Sequence, residues 1–101
     1  MSVRCEFDWD PVKAASNLAK HDIPFQDAMS IFAGPLTLSV IDETSSSIEE
    51  RWITIGVSRT TRVLIVVHSF VKIAEYHVNI RIVSARKPNK QERHQCEQAA
   101  D

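Results

Sequence analysis

Arg81, Arg86 and Lys87 fall within seven positions near the end of this 101-residue chain. A guanidinium is a planar fork that grips an oxyanion through two parallel hydrogen bonds. Such a cluster can clamp a phosphate and stabilise the extra negative charge of a pentacoordinate transition state. The same side chains also suit a solvated strand-to-helix junction. Glu50-Arg51 can supply a base and a phosphate ligand, or be a surface pair worth under ~1 kcal/mol. His68 closes an apolar run, and an ordinary histidine pKa of about 6.5 allows it to give or take a proton. A histidine there is more commonly half-buried and satisfied by a backbone carbonyl. Trp52, Arg59, Arg62, His77 and Lys87 complete the candidates, as cations for phosphates and rings for stacking on bases.

These residues belong to an uneven charge distribution. The formal net charge is −1, yet residues 1–50 sum to −6 and residues 51–101 to +5, with six arginines among the nine cations of the second half. A basic half is the electrostatic footprint of a nucleic-acid ligand. It is equally what remains when the two halves pair with each other inside one domain.

The elements that must position these groups are legible from periodicity. Residues 6–9 alternate as a short strand. Asp10-Pro11 starts a helix to about Lys20, with Val12, Ala15 and Leu18 or Ala19 as its buried stripe. Phe25, Ala28, Met29 and Phe32 mark a second helix, stopped by Gly34-Pro35. Strands follow at residues 36–41 and 52–57, and the β-branched run 63–67 suits a central strand buried on both faces. A last strand puts Tyr76, Val78, Ile80 and Ile82 on one face and His77, Asn79 and Arg81 on the other. By the same parity, Ile53, Ile55 and Val57 inside leave Trp52 and Thr54 on the outer face beside Arg81. Lys87-Pro88 opens a final helix to about Gln98. The expectation is an α+β domain, residues 1–101, of order β-α-α-β-β-β-β-α, with two N-terminal helices packed on a mainly antiparallel meander.

Composition narrows the class. The apolar share is 44% and the charged share 25%, with two glycines and four prolines, ordinary for a globular domain. The longest apolar run is far short of the ~20 residues of a membrane helix, and the N-terminus lacks the apolar core of a secretion signal. Cys5 and Cys96 form no CxxC pair and read as packing residues. Phosphate-binding glycine loops, HExxH and a carboxylate cluster in the basic half are missing, so neither a cofactor nor metal-dependent hydrolysis is expected. The chain reads as a cytoplasmic protein with no membrane partner.

Four blocks together resemble the BrnT-like toxins of bacterial type II toxin–antitoxin systems. They are Phe7-Asp8-Trp9-Asp10-Pro11 with Lys13-Ala14 and Asn17-Leu18 to His21; Phe25 through Phe32 to Pro35-Leu36; Glu50-Arg51-Trp52-Ile53-Thr54-Ile55-Gly56; and residues 64–68 followed by Ile80-Arg81-Ile82-Val83-Ser84-Ala85-Arg86-Lys87 and Glu92-Arg93. The resemblance implies a RelE/ParE-like fold and a ribosome-independent ribonuclease that arrests growth. It also implies a BrnA-like ribbon-helix-helix antitoxin, with operator DNA touched only through that partner. A homodimer is a further expectation. Arg51, His68, Arg81 and Arg86 fall in the matching motifs. Chemically, the ribose 2′-OH would attack the adjacent phosphorus, Arg81 and Arg86 would stabilise the phosphorane, and Arg51 would position the backbone. His68 or Glu50 would move protons. The other readings are a module that only docks its antitoxin or an inactive toxin copy, and an inhibitor of a protein target such as some ParE-like relatives.

Overall fold

The computed structural model describes residues 4–33, 38–41 and 51–92. Five strands, β1 (Arg4–Trp9), β2 (Leu38–Ile41), β3 (Arg51–Val57), β4 (Val63–Ala74) and β5 (His77–Arg86), form one sheet in the order β1-β5-β4-β3-β2. β2 to β5 run as the expected antiparallel meander, whereas β1 joins the far edge parallel to β5, so the sheet is mixed. The parallel pairing follows from connectivity: β1 and β5 are joined through the whole domain, not by a tight turn.

Helix α1 (Pro11–His21) begins where the sequence predicts, with the Asp10 carboxylate accepting from the Val12 N–H at 2.8 Å and Pro11 in the first turn. It ends at Asp22 in the left-handed region, φ 57°, whose N–H bonds the Leu18 carbonyl at 2.9 Å. Helix α2 (Phe25–Ser30) continues into a 3-10 turn, Ile31–Ala33. Ile23, Phe25, Ala28 and Ile31 pack on Leu64, Val66, Ile82 and Ala85 of the sheet, flanked by Phe7, Trp9, Ala14, Met29 and Phe32. A smaller cluster, Ile55 and Ile65 with Ile53 and Val63, lies on the face away from the helices.

Two expectations about faces are corrected. Val12 and Leu18 are 77% and 46% exposed, and the residue α1 buries is Asn17. The helix abuts the edge of β5 past the end of β1, so a polar side chain that can bond an exposed strand edge is what the contact needs. Asn17 Oδ1 accepts from the Ala85 N–H at 3.0 Å, and its Nδ2 donates to the Ile23 carbonyl at 3.1 Å. In β3, Thr54 pairs with Val66 and Trp52 with His68, which turns both toward the helices and leaves Ile53, Ile55 and Val57 on the other face. Parity fixes alternation but not which face is which, and here both faces carry apolar residues. The continuous run 63–67 is the start of a strand of twelve residues. A register shift between Val67 and His68 then resets β5 against it.

Tyr76 sits in the β4–β5 turn, 44% exposed, and Cys5 is exposed on the edge strand. The final helix begins at Lys90. Its continuation to Gln98, together with Cys96, Arg93, Leu36 and Glu50, lies outside the described residues.

Candidate functional site

The pairing registers bring two of the expected arginines together. Arg51 pairs with Ser69, Ser69 with Arg81, and Arg81 with Asp8, a row that crosses four strands on the face away from α1 and α2. Strands sit about 4.8 Å apart, so the Arg51 and Arg81 backbones are about 10 Å apart, close enough for two long side chains to meet on one anion. Arg81 Nη1 lies 3.3 Å from Asp8 Oδ1, with both side chains about half exposed at 48% and 50%. An exposed pair of this kind exchanges readily with an incoming anion.

His68 does not join them. It is 3% exposed on the helix face, where the Phe32 ring meets it edge-on with centroids 4.8 Å apart. Nδ1 is 3.0 Å from the Ser69 carbonyl and Nε2 is 2.6 Å from Thr54 Oγ1. A carbonyl only accepts, so the proton is on Nδ1 and Nε2 accepts from Thr54. Thr54 Oγ1 in turn accepts from Ser39 Oγ at 2.7 Å. Burial pushes the His68 pKa below its ordinary value, only partly opposed by the Ser69 carbonyl. Its neutral ring is a satisfied member of the core, and the sheet itself separates it from the arginines. The expectation that it would share a pocket with them is corrected on that ground.

Arg86 is also separate. It pairs with Ile65 while Arg81 pairs with Ser69, about 13 Å further along the sheet. Both its terminal nitrogens bond the Glu92 carboxylate at 2.9 Å. Glu92 Oε1 accepts from the Asn89 N–H at 2.9 Å and Asn89 Oδ1 from the Glu92 N–H at 2.8 Å, a capping box at the start of the last helix. Arg86 holds the Glu92 carboxyl below its usual pKa, and Glu92 raises that of Arg86. Asn-x-x-Glu after a proline was the sequence signal for this device.

The remaining candidates spread over the domain. Arg59 and Arg62 sit at the β3–β4 turn, at the end of β3 opposite Arg51 and about 20 Å from it. That turn is fastened to the helices. Both oxygens of buried Asp27 accept from Thr60 Oγ1 at 3.0 Å, the Arg59 N–H reaches Ser30 Oγ at 2.8 Å, and Arg62 Nη1 donates to the Asp22 carbonyl at 3.3 Å. Asp27 lies off the stripe of Phe25, Ala28, Met29 and Phe32, so the helical pattern did not reveal that anchor. His77 Nε2 comes within 3.1 Å of Glu6 Oε1 but out of line for a hydrogen bond. Trp52 is half-buried beside His68, with Phe32, Ser39, Phe70 and Ile80 around the same crevice, and Lys87 is exposed just past β5. Among the described residues, no three His, Cys, Asp or Glu side chains are grouped to ligate a metal.

The comparisons with known proteins bear on this geometry. A crystal structure of the Brucella abortus ribonuclease toxin BrnT superposes with TM-score 0.53 at 18% identity, covering 86% of this chain and 99% of that one. At that identity the likeness speaks for the fold. Comparison with curated proteins gave no match. The family model described as the ribonuclease toxin BrnT of type II toxin–antitoxin systems matches residues 9–92. That span takes in α1, α2, four of the strands and the Arg51–Arg81 row, and the chain accordingly belongs to the BrnT family of ribonuclease toxins.

Proposed function

We propose that this toxin cuts RNA without a metal ion, on the sheet face that carries Arg51 and Arg81. The observation that carries the reading is their shared register through Ser69, which sets the two arginine backbones about 10 Å apart on one face of the sheet. The ribose 2′-OH attacks the adjacent phosphorus and the 5′-oxygen leaves, giving a 2′,3′-cyclic phosphate and a free 5′-OH. Arg51 and Arg81 bind the non-bridging oxygens and stabilise the phosphorane more than the ground state, because its negative charge is greater. Glu50, next in sequence to Arg51, takes the 2′-OH proton, and water supplies the proton that the departing 5′-oxygen gains. His77, about 13 Å along β5 from Arg81, has its Nε2 buried beside Glu6 and is assigned no contact with the RNA strand. Arg86 and His68 act on the fold that presents the site. We assign the meander to the RelE/ParE-like fold that the sequence resemblance implies.

Membership in a type II toxin–antitoxin family carries an antitoxin with it, and we assign that role to a BrnA-like ribbon-helix-helix protein that alone touches operator DNA. A second reading is favoured by the ion pairs Arg81–Asp8 and Arg86–Glu92, since arginines held inside the chain also suit a module that only docks its antitoxin. Incubating RNA with the wild type, Arg51→Ala and Arg81→Ala in EDTA separates the two. The wild type should yield cyclic-phosphate ends, with each variant slower by about 10²- to 10³-fold at an unchanged melting temperature. Intact RNA beside tight antitoxin binding would leave the docking module standing instead.

A further inference from the structure

β1 stops at Trp9, opposite Ile82, while β5 continues to Arg86. From Val83 onward the edge of β5 has α1 as its neighbour, with Asn17 bonding the Ala85 N–H in place of a strand. Between helix and strand edge runs a groove of about 200 Å³ lined by Lys13, Ser16, Asn17, Lys20 and His21 of α1 and by Val83 and Ser84 of β5. No carboxylate lines it among the described residues, and neither lysine is in an ion pair there. Lys13 and Lys20 are two of the three Lys and Arg residues in the acidic half of the chain, and both face this groove. They stand seven residues apart, about 10 Å along the helix, with Ser16 and Asn17 between them. Asn17 is 6% exposed, and its Nδ2 has a second hydrogen beyond the one given to Ile23.

We propose that this groove holds a second phosphate of the RNA strand, outside the bond being cut. The proposal rests on the ribonuclease reading above and gives it a direction. Val83 and Ser84 lie two and three residues past Arg81, about 7–10 Å along β5, so a strand held at Arg81 on the other face reaches the groove within a few nucleotides by turning over the β5 edge where β1 has ended. Two ammonium groups, two hydroxyls and a fixed amide are donors throughout, which selects an anion and carries no base information. The last turn of α1 favours a cation at Lys20.

The test compares RNA oligomers of about two and eight nucleotides on the wild type, Lys13→Gln/Lys20→Gln and, as a charge-matched control, Lys72→Gln/Lys90→Gln. The groove variant should bind the longer RNA about tenfold more weakly at low salt, with the log–log salt slope reduced by about 1–2. Its loss on the short RNA should be clearly smaller, and the control should change neither. Equal losses on both lengths, or a loss matched by the control, would overturn the groove. Antitoxin binding weakened while RNA binding stays the same would overturn it too, in favour of an acidic peptide. If the wild type cuts RNA and the groove variant matches it throughout, only the groove fails. If the wild type neither binds nor cuts RNA, the ribonuclease reading falls and the groove with it.

Discussion

His68 and Ser69 are neighbours in β4 and both are buried, yet their side chains lie on opposite faces of the sheet. His68 lies in the row Trp52–His68–Ile82 under the 3-10 turn, dry, neutral and bonded through both ring nitrogens. Ser69 lies in the row Arg51–Ser69–Arg81–Asp8, flanked by charges that reach water. One residue along a strand moves a side chain to the other face of the sheet. The dry row is built for stability, because an unmade hydrogen bond there costs the full desolvation of the group. The charged row is built for exchange, because its pairs are half-hydrated and weak.

The sharpest way to break this contrast is His68→Ala. The variant leaves a cavity beside Phe32 and deprives Thr54 of its acceptor, so we expect a loss of about 2–4 kcal/mol in denaturant unfolding. RNA cleavage per folded molecule should stay within a few-fold of wild type. A loss of cleavage with unimpaired stability would put His68 in the chemistry and dissolve the distinction between the rows. The pH dependence sharpens the same point. Folding holds the His68 pKa down, so below about pH 6.5 the unfolded chain binds a proton that the folded chain refuses. Stability should therefore fall as pH drops from about 6.5 toward the depressed folded value, and His68→Asn should fall less steeply over that window.

A smaller effect is expected at the capping box. Glu92→Gln removes the carboxylate that joins Arg86 to the start of the last helix, for a loss of about 1 kcal/mol by thermal unfolding at neutral pH. Because Arg86 depresses the Glu92 pKa, this contribution is present above the ordinary carboxylate range and is lost as pH falls through the folded value. The smallest change tests the charged row. Asp8→Asn frees Arg81 from its internal partner and should raise RNA affinity by a few-fold at low salt, an advantage that fades at high salt. Weaker RNA binding by this variant would mean that Asp8 orients Arg81 for the phosphate.

The charge asymmetry of the sequence divides along the same lines. Glu6 approaches His77 and Asp8 pairs with Arg81 because β1 lies parallel to β5, so part of the basic half is answered by the acidic half across one strand boundary. The cations left to face a ligand then include Lys13 and Lys20, which counting by halves assigns to the acidic side.

Local order was written in the chain. Asp10-Pro11 starts a helix and the β-branched run from Val63 stays extended, since caps, fixed φ angles and χ1 crowding act within a few residues. The family blocks were legible for the same reason, being runs of adjacent residues. Which face each strand turns to the helices was not: the apolar Ile53, Ile55 and Val57 pointed to the wrong face of β3, because alternation has two equivalent solutions and only packing chooses between them. Tertiary structure chose Thr54 and His68 for the core and Ile55 for the opposite face. It also set Arg51 beside Arg81, separated Arg86 from both, and turned Asn17 into a stand-in for a missing strand. Each of those outcomes depends on contacts between residues dozens of positions apart, which no local pattern encodes.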